Sequence, residues 1–220
     1  MAGQLDKDYY EKVAQTVVGC DKEGCLRLIE EGLAKKAEPL EILEKGLNRG
    51  IQQIGQDFGT GVCFLPELIG AADVMKAGVG VLDERIKAQG KSRKTLGKIV
   101  IGTVKGDIHD IGKSVVAAVL QANGYDVVDL GVDVEDSRFV DTAREQNADC
   151  VAMSSLLTVT IQRMGTIIKE LKQAGMRDKV KVIVGGAPVT QEFANAIGAD
   201  AYGHDAADAV HKMAVLLGKK

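Results

Sequence analysis

The sequence has little aromatic character, few prolines and no long apolar run. Of its 220 residues, none is tryptophan, three are proline and 4% are aromatic. So few aromatic rings argue against a stacking platform for single-stranded nucleic acid, and a net charge of −3 argues against a protein that coats nucleic acid. The longest apolar run, residues 115–120, is far shorter than a membrane span. We therefore expect neither a nucleic-acid partner nor a membrane partner.

Cysteine is also scarce. The four cysteines, Cys20, Cys25, Cys63 and Cys150, form no C-x-x-C pair and no zinc-binding spacing. Residues 1–12 contain no apolar run of the kind that a signal peptide needs. We therefore expect reduced thiols and a cytoplasmic protein.

The remaining composition is that of a folded globular protein. Hydrophobic residues make up 45% of the chain and charged residues 27%. A length of 220 residues favours two small domains, or one domain with an extra lobe. Glycine is abundant, with 26 residues, and beside so few prolines this favours tight turns and close backbone contacts over disorder.

The first half of the chain has the periodicity of amphipathic helices. Two apolar faces repeat every three or four residues: Leu40, Leu43, Leu47, Ile51, Ile54 and Phe58 after Pro39, and Leu68, Ala72, Met75, Val79, Leu82 and Ile86 after Pro66. Proline suits the first turn of a helix, and Gly59 is a plausible stop for the first of these two helices. Two shorter amphipathic stretches precede them, with Asp21 as a candidate N-cap. The pattern predicts an all-α domain of four helices over residues 1–88.

The second half alternates short β-rich runs with helical stretches. Strands are predicted at residues 98–104, 126–130, 150–154, 181–184 and 199–202, and helices at residues 111–123, 137–146, 160–174, 191–197 and 206–217. Five such units predict an α/β domain over residues 98–220, with a five-stranded parallel sheet in the flavodoxin-like order 2-1-3-4-5. Residues 89–97, which contain several lysines, are expected to form a linker, with a docking patch for an acidic partner as the alternative.

The loop after the first predicted strand runs Gly106-Asp107-Ile108-His109-Asp110-Ile111-Gly112-Lys113-Ser114. Its last three residues resemble a P-loop, in which four residues separate the glycines. Here five residues separate them, and the carboxylates of Asp107 and Asp110 would repel phosphate. The sequence therefore disfavours a nucleoside triphosphate site.

His109 follows the first predicted strand, where ligands of this fold bind. A carboxylate bonded to one ring nitrogen, here that of Asp107, would fix the tautomer and make the other nitrogen a stronger metal ligand. Alternatively, Asp107 holds the histidine for structural reasons alone. His204 and His211 lie late in the chain, and we interpret His211 as a residue on a helix face. A metal held by a single protein nitrogen would take its other ligands from elsewhere, such as a macrocycle.

Two further loops at the same sheet edge are unusual. The loop after the third predicted strand carries four hydroxyls, those of Ser154, Ser155, Thr158 and Thr160. Strand-end and capping roles explain one or two of them, and the others suggest hydrogen bonds to a bound group or to a carboxylate. The loop after the fourth strand, residues 185–188, has paired glycines, which either make room for a ligand or form a plain turn. Three such loops together favour a large ligand.

These motifs resemble the D-x-H-x-x-G, S-x-L and G-G signature of the cobalamin-binding family. In this chain they read Asp107-Ile108-His109-Asp110-Ile111-Gly112, then Ser154-Ser155-Leu156, then Gly185-Gly186. Over residues 5–217 the chain is similar to corrinoid methyl-carrier proteins of anaerobic methyltransferase systems and to the cobalamin-binding module of methionine synthase. The residues that resemble the family's helical cap domain are Gly55, Phe58, Gly61, Phe64, Leu65 and Pro66.

The resemblance implies cobalamin as the cofactor, as methylcobalamin or cob(I)alamin, bound base-off with its tail between the three loops. His109 would be the lower axial ligand of cobalt, and Asp107 and Thr160 would complete the catalytic relay. The cofactor contacts that it implies are Asp107, Ile108, His109, Asp110, Ile111, Gly112, Ser154, Leu156, Thr158, Thr160, Gly185, Gly186, Ala187 and Phe64. Of these, Phe64 is expected to cover the upper, methyl-bearing face.

The implied function is that of a methyl carrier, a subunit rather than a complete enzyme. It would accept the methyl group from a substrate-specific methyltransferase and donate it to a second methyltransferase acting on coenzyme M or tetrahydrofolate. A reductive activase would be a further partner. The methyl donor stays open among methanol, a methylamine, a quaternary amine and a methoxylated aromatic. A cobalamin-dependent sensor or regulator, a mutase subunit and a cobalamin storage protein are the alternatives.

Overall fold

A computed structural model describes residues 6–91, 93 and 95–218, and the chain divides into two compact units. The first unit comprises the described residues within 1–94 together with Gln121–Gly124, and the second comprises those within Thr95–Leu120 and Tyr125–Lys220. The predicted linker, residues 89–97, includes Ser92 and Lys94, which lie outside the described residues. The same holds for residues 1–5 and 219–220 at the ends of the two predicted domains.

The first unit is helical. Its helices are α1 (Lys7–Val18), α2 (Lys22–Ala34), α3 (Pro39–Ile42), α4 (Asn48–Gly59) and α5 (Leu65–Ala88), and a π-helical turn, Leu43–Leu47, joins α3 to α4. The predicted cap of α2 is confirmed, because the Asp21 side chain accepts a hydrogen bond from the Gly24 N–H at 2.8 Å. Both prolines lie in first turns, and α4 ends at Gly59, as predicted.

The buried face of α5 differs slightly from the predicted one. Met75 and Val79 are only half-buried, whereas Val74 and Gly78 are buried. A Cβ atom at Gly78 would lie 2.8 Å from a methyl group of Leu47 and 3.0 Å from one of Ile29. The absence of a side chain at Gly78 therefore lets α5 approach its neighbours closely. In the middle of the helix, the buried positions are each one residue earlier than predicted.

The second unit is a parallel sheet with helices on both faces. Its strands are β1 (Lys98–Thr103), β2 (Asp126–Asp129), β3 (Cys150–Ser154), β4 (Lys181–Gly185) and β5 (Ala201–Gly203), and its helices are α6 (Ile111–Ala122), α7 (Asp136–Glu145), α8 (Gln162–Gln173), α9 (Gln191–Ile197) and α10 (Ala206–Leu216). All strand pairs are parallel, in the order β2-β1-β3-β4-β5. The predicted flavodoxin-like sheet is confirmed.

Alternate residues of the central strands fill two apolar layers. One layer packs Val100, Val151 and Val182 against Phe139 and Ile167, and the other packs Ile99, Ile101 and Ile183 against Leu120 and Met213. Cys150 is buried in the second layer, and burial raises the pKa of its thiol, which leaves it unreactive. Because both faces of the sheet are covered, the functional side chains are confined to its edges and ends.

Strand β5 begins two residues later than predicted. Gly198 ends α9 with a φ of 78°, in the left-handed region that glycine enters without strain. The Ala199 N–H then bonds back to the Ala194 carbonyl at 2.9 Å, so Ala199 completes the helix end and does not join the sheet.

The chain leaves β1 towards one face of the sheet and leaves β3 towards the other. The carboxyl ends of these two neighbouring strands therefore flank a crevice. Among the described helices, none is long and apolar enough to cross a membrane.

Candidate cofactor site

The loop after β1 carries a carboxylate that is fully withdrawn from solvent. The side chain of Asp107 is 0% exposed. Its Oδ1 lies 2.6 Å from His109 Nδ1 and accepts a hydrogen bond from the His109 backbone N–H at 3.0 Å. Its Oδ2 accepts from the Leu156 N–H at 2.7 Å and from the Ser155 hydroxyl at 3.0 Å. One aspartate thus joins the loop after β1 to the loop after β3.

These donors decide the charge of Asp107. Burial alone opposes ionisation, but the N–H groups of His109 and Leu156, the His109 ring and the Ser155 hydroxyl outweigh it, and the pKa of the carboxyl falls well below its usual range. Asp107 is therefore ionised at neutral pH. An ionised carboxylate at 2.6 Å favours a proton on His109 Nδ1 and leaves the Nε2 lone pair available to a metal.

His109 Nε2 is the free end of this pair. The His109 side chain is 48% exposed, and among the described residues no group bonds to Nε2. The loop itself is fixed from behind, because the buried Thr103 hydroxyl donates to the His109 carbonyl at 2.9 Å. The imidazole is thus held firmly at one nitrogen and open at the other.

The surroundings of this imidazole are apolar and exposed. The two loops that Asp107 joins present five large apolar side chains to solvent: Ile108, Ile111, Leu156, Leu157 and Val159. Exposed apolar side chains that cluster around a polar group are typical of a ligand-binding surface. Their exposure on two segments joined by Asp107 suits a broad ligand with apolar edges.

Thr160, the hydroxyl of the predicted relay, lies beside Asp107. Its hydroxyl is 3.4 Å from Asp107 Oδ2 and 2.7 Å from the Ser155 hydroxyl, and both hydroxyl-bearing residues are buried. The predicted site omits Ser155 and also Leu157, whose backbone N–H donates to Asp107 Oδ2 at 3.3 Å. Ser154 closes β3, in register with Thr103 and Gly185, and among the described contacts its hydroxyl makes none to Asp107.

The signal for Ser155 was present in the sequence as one of two adjacent serines at a strand end. Successive residues of a strand point to opposite sides, so only the register of β3 decides which serine faces Asp107. Thr158, which is also in the predicted set, is exposed and takes no part in the hydrogen bonds to Asp107.

The glycines of the site divide into two kinds. A Cβ atom at Gly186, which has a φ of 124°, would lie 1.8 Å from the Ser155 carbonyl oxygen, and one at Gly185 would lie 3.0 Å from the Gly203 carbonyl oxygen. Contacts inside the protein therefore already require these two glycines. A Cβ atom at Gly112 would meet nothing within 4 Å. Of the predicted glycines, Gly112 is the one that borders open space.

Lys113 does not serve a phosphate. It is almost completely buried, and its Nζ lies 2.5 Å from Asp129 Oδ2 and 2.9 Å from Asp110 Oδ1. The Lys113 ammonium and then the Ser114 hydroxyl lower the pKa of Asp110. The lysine that made the loop resemble a P-loop thus ties the start of α6 to the end of β2.

The other predicted residues are placed as follows. Ala187 is exposed in the loop after β4. His204 is exposed at the end of β5, and His211 is exposed on α10. Neither histidine has a described contact to the loop after β1, residues 104–110, which we call the His109 loop. Phe64 belongs to the helical unit, where it precedes α5 and is 69% exposed, and its backbone N–H donates to the Glu67 carboxylate at 3.1 Å.

The donor set fits a corrinoid. Among the described residues, no group of three or more His, Cys, Asp or Glu side chains could hold a metal ion. One imidazole nitrogen, backed by a carboxylate in a loop that also exposes apolar side chains, suits a metal whose remaining ligands come with its own macrocycle. The fold and the site together therefore define a cobalamin-binding type of protein.

Comparisons with known proteins agree with this class. A family model described as a B12 binding domain matches residues 97–211, and a second model of the same description matches residues 9–83. The chain is 43% identical to trimethylamine corrinoid protein 2 of Methanosarcina mazei, with 99% of each chain covered. It is 46% identical to dimethylamine corrinoid protein 2 of Methanosarcina acetivorans, with 97% of this chain and 98% of the relative covered.

Solved structures show the same relationship. The crystal structure of a methanol:cobalamin methyltransferase complex from Methanosarcina barkeri matches 99% of this chain and 83% of its own, with a TM-score of 0.83 and 26% identity. A cobalamin-binding protein from Desulfitobacterium hafniense matches 94% of this chain and 98% of its own, with a TM-score of 0.59 and 31% identity. The chain belongs to the family of B12-binding corrinoid proteins.

Proposed function

We propose that this chain is the corrinoid subunit of a methyltransferase system and carries a methyl group between two partner enzymes. It would accept the methyl group from a substrate-specific methyltransferase and donate it to a second methyltransferase acting on coenzyme M or tetrahydrofolate. A reductive activase would return the cofactor to its active state. When bound, cobalamin would supply a cobalt centre that both takes up and gives away a methyl group. The observation that carries the proposal is the hydrogen bond between the buried Asp107 carboxylate and Nδ1 of the half-exposed His109, which leaves Nε2 open.

In this proposal His109 Nε2 is the lower axial ligand of cobalt, and cobalamin binds base-off. The support is geometric. Asp107 takes up Nδ1, so Nε2 is the nitrogen that is left to coordinate. A carboxylate partner on the opposite nitrogen raises the donor strength of a ligating imidazole.

The network behind Asp107 would regulate how strongly His109 donates. Asp107 Oδ2 already accepts hydrogen bonds from Leu156 and Ser155, and the Thr160 hydroxyl lies at 3.4 Å. The negative charge of the carboxylate is therefore shared between these donors and the Nδ1 proton. A shared charge would make His109 a nitrogen donor of intermediate strength, which would suit a ligand that binds and releases a metal.

Gly112 is the expected passage for the detached tail of cobalamin, because it borders open space beside the His109 loop. The exposed Leu156 and Ile111 side chains would contact the corrinoid, and Gly185, Gly186 and Ala187 would shape the loop after β4. Phe64, exposed in the helical unit, is the proposed cover for the methyl-bearing face.

The best supported donors are methylated amines. Relatives named for trimethylamine and dimethylamine share 43–46% identity with this chain over almost its whole length. The structure of the methanol complex shares 26%. The choice among amines would lie in the partner methyltransferase, because the proposed site holds only the cofactor.

Methyl transfer with isolated partners tests the proposal. The protein loaded with reduced cobalamin is mixed with a trimethylamine, dimethylamine or methanol methyltransferase and the matching substrate, and methylation is read from the visible spectrum. We expect methylation with an amine enzyme and loss of the methyl group when an acceptor methyltransferase is added. Retention of cobalamin without methylation by any of the three would favour a storage protein and contradict the proposal.

A further inference from the structure

One residue outside the family signature holds the His109 loop from the side of β2. Asp133 follows β2, and its Oδ1 accepts a hydrogen bond from the Gly106 N–H at 2.9 Å. The Asp133 N–H in turn donates to the Asp107 carbonyl oxygen at 2.9 Å. Both ends of the Gly106–Asp107 dipeptide are thus bonded to a single residue.

The backbone at this point is unusual on both sides of the contact. Asp133 has a φ of 53° and Gly106 a φ of 85°, so both lie in the left-handed region. Aspartate and asparagine enter this region more readily than most residues other than glycine. The conformation turns the backbone N–H and the carboxylate of Asp133 towards the same dipeptide, which neither group would reach from an extended strand.

The contact to Asp133 also carries charge. Lys105, directly before Gly106, lies 3.1 Å from Asp133 Oδ2 and 2.9 Å from Glu135 Oε1. Asp133 therefore meets the His109 loop through one side-chain hydrogen bond, one backbone hydrogen bond and one ion pair. The ion pair is exposed and contributes little, so the hydrogen bond to Gly106 is the directional part.

The strand connection does not depend on this side chain. The Val134 N–H donates to the Thr103 carbonyl at 3.0 Å, and the Thr103 N–H donates to the Gly131 carbonyl at 3.0 Å. Val104 and Val134 form an isolated parallel bridge. These backbone bonds would keep the loop after β2 beside β1 when the Asp133 carboxylate is removed.

We infer that Asp133 is a positioning residue for the Asp107–His109 pair, and this inference rests on the proposed role of His109 as a cobalt ligand. The Asp133 side chain fixes the Gly106–Asp107 dipeptide and thereby the direction in which Asp107 presents Oδ1 to the imidazole. Without it, Asp107 keeps its partners in the loop after β3, but the backbone that carries both Asp107 and His109 gains freedom. The expected consequence is weaker axial ligation, with cobalamin still bound.

Three variants isolate the carboxylate. Asp133→Gly keeps the left-handed backbone and removes the side chain, whereas Asp133→Asn keeps both the backbone and a side-chain acceptor for Gly106. Lys105→Met removes the ion pair and leaves the hydrogen bond to Gly106 in place. The visible and EPR spectra of bound cobalamin report the fraction of cofactor with a protein nitrogen on cobalt. Amide hydrogen exchange at Gly106 in the cofactor-free protein reports the hydrogen bond itself.

In Asp133→Gly we expect exchange at Gly106 to accelerate by roughly tenfold and the nitrogen-ligated fraction to fall by roughly fivefold, which is the scale of one lost hydrogen bond. Retained cobalamin should stay within about twofold of the wild type, because the surfaces that hold the corrinoid are unchanged. Asp133→Asn and Lys105→Met should behave like the wild type. An unchanged nitrogen-ligated fraction in Asp133→Gly would overturn the inference, as would failure of Asp133→Asn to restore it.

The two proposals fail in different ways. If the wild type itself shows no protein nitrogen on cobalt, the proposed ligation by His109 fails, and the cofactor-free protein still tests Asp133. In that protein, the His109 Nδ1 proton should give a sharp hydrogen-bonded NMR signal in the wild type and in Asp133→Asn, and a broadened one in Asp133→Gly. The same sharp signal in Asp133→Gly would overturn the positioning role.

Discussion

Two histidines of the α/β unit face an aspartate through Nδ1, and only one of them is built into a network. His109 lies 2.6 Å from Asp107, which is fully buried and bonded to groups of a second loop. His204 lies 3.3 Å from Asp205, which is 59% exposed and caps α10 by accepting from the Asp208 N–H. The chemical pair is the same, but the environment differs in burial and in the number of donors. The Asp107–His109 pair therefore differs from the Asp205–His204 pair in the burial of its carboxylate, its shorter separation and its bonds to a second loop.

Removal of the two imidazoles should give the largest contrast. We predict that His109→Ala retains cobalamin but loses the spectrum of a nitrogen-ligated cobalt completely, because no other described group in the loop replaces Nε2. His204→Ala should keep both the cofactor and the spectrum. The measurement is the visible absorbance of each variant after gel filtration with hydroxocobalamin. A nitrogen-ligated spectrum in His109→Ala would remove this histidine from the cobalt.

A side chain in the open space beside Gly112 should weaken the binding of cobalamin, whereas His109→Ala should change only the nitrogen ligation of cobalt. Gly112→Leu places a side chain where the structure has open space, so we predict a loss of cobalamin retention of at least roughly tenfold with little change in melting temperature. Gly186→Leu is the contrasting variant, because its side chain would collide with the Ser155 carbonyl and lower the melting temperature of the cofactor-free protein. Wild-type binding by Gly112→Leu would show that the cofactor tail passes elsewhere.

The next largest contrast is expected in stability, between the aspartates of the two pairs, Asp107 and Asp205. In Asp107→Asn, an amide replaces a buried carboxylate that accepts from Leu156, Ser155 and the His109 ring, so we predict a loss of about 2–3 kcal/mol in the free energy of unfolding. Asp205→Asn should leave the free energy of unfolding nearly unchanged, because asparagine caps helices as well as aspartate does. Denaturant unfolding of the cofactor-free proteins measures both. Equal losses in the two variants would contradict the difference in environment.

The smallest effects on stability are expected at the two lysines that flank the His109 pair in sequence, Lys113 and Lys105. Lys113→Met removes a buried ammonium and leaves Asp110 and Asp129 partly exposed to water, so we predict a loss of about 1–2 kcal/mol in the free energy of unfolding. Lys105→Met, which removes an exposed ion pair, should leave the free energy of unfolding nearly unchanged. Denaturant unfolding again measures both changes. A larger loss in Lys105→Met than in Lys113→Met would reverse this ranking.

The sequence predicts the sheet well because its strands are short apolar runs separated by amphipathic helices. The strand order and the position of His109 at the switch point follow from that pattern and from topology. It also identifies Asp107, since Asp-x-His brings the two side chains together within one loop. What it misses depends on contacts between distant segments. The choice of Ser155 over Ser154 needs the register of β3, and Asp133 needs the connection between β2 and β1.

The glycines of the motifs also show what sequence-based prediction misses. Gly112, Gly185 and Gly186 all belong to motifs of the resembled family, and the resemblance implies that all three are cofactor contacts. In the structure, Gly186 is required by a carbonyl of the neighbouring loop, whereas Gly112 borders open space. A glycine in a motif thus identifies a close approach, but only the three-dimensional neighbours show whether the approaching group is a ligand or the protein itself.

The most direct test of the account is the EPR spectrum of cob(II)alamin bound to protein in which only the histidines carry ¹⁵N. The cofactor keeps ¹⁴N in its own base, so the splitting from the axial nitrogen shows which of the two coordinates cobalt. We predict the doublet pattern of a ¹⁵N ligand, its disappearance in His109→Ala and its persistence in His204→Ala. A triplet pattern from ¹⁴N, or no axial nitrogen at all, would contradict the assignment of His109 as the cobalt ligand.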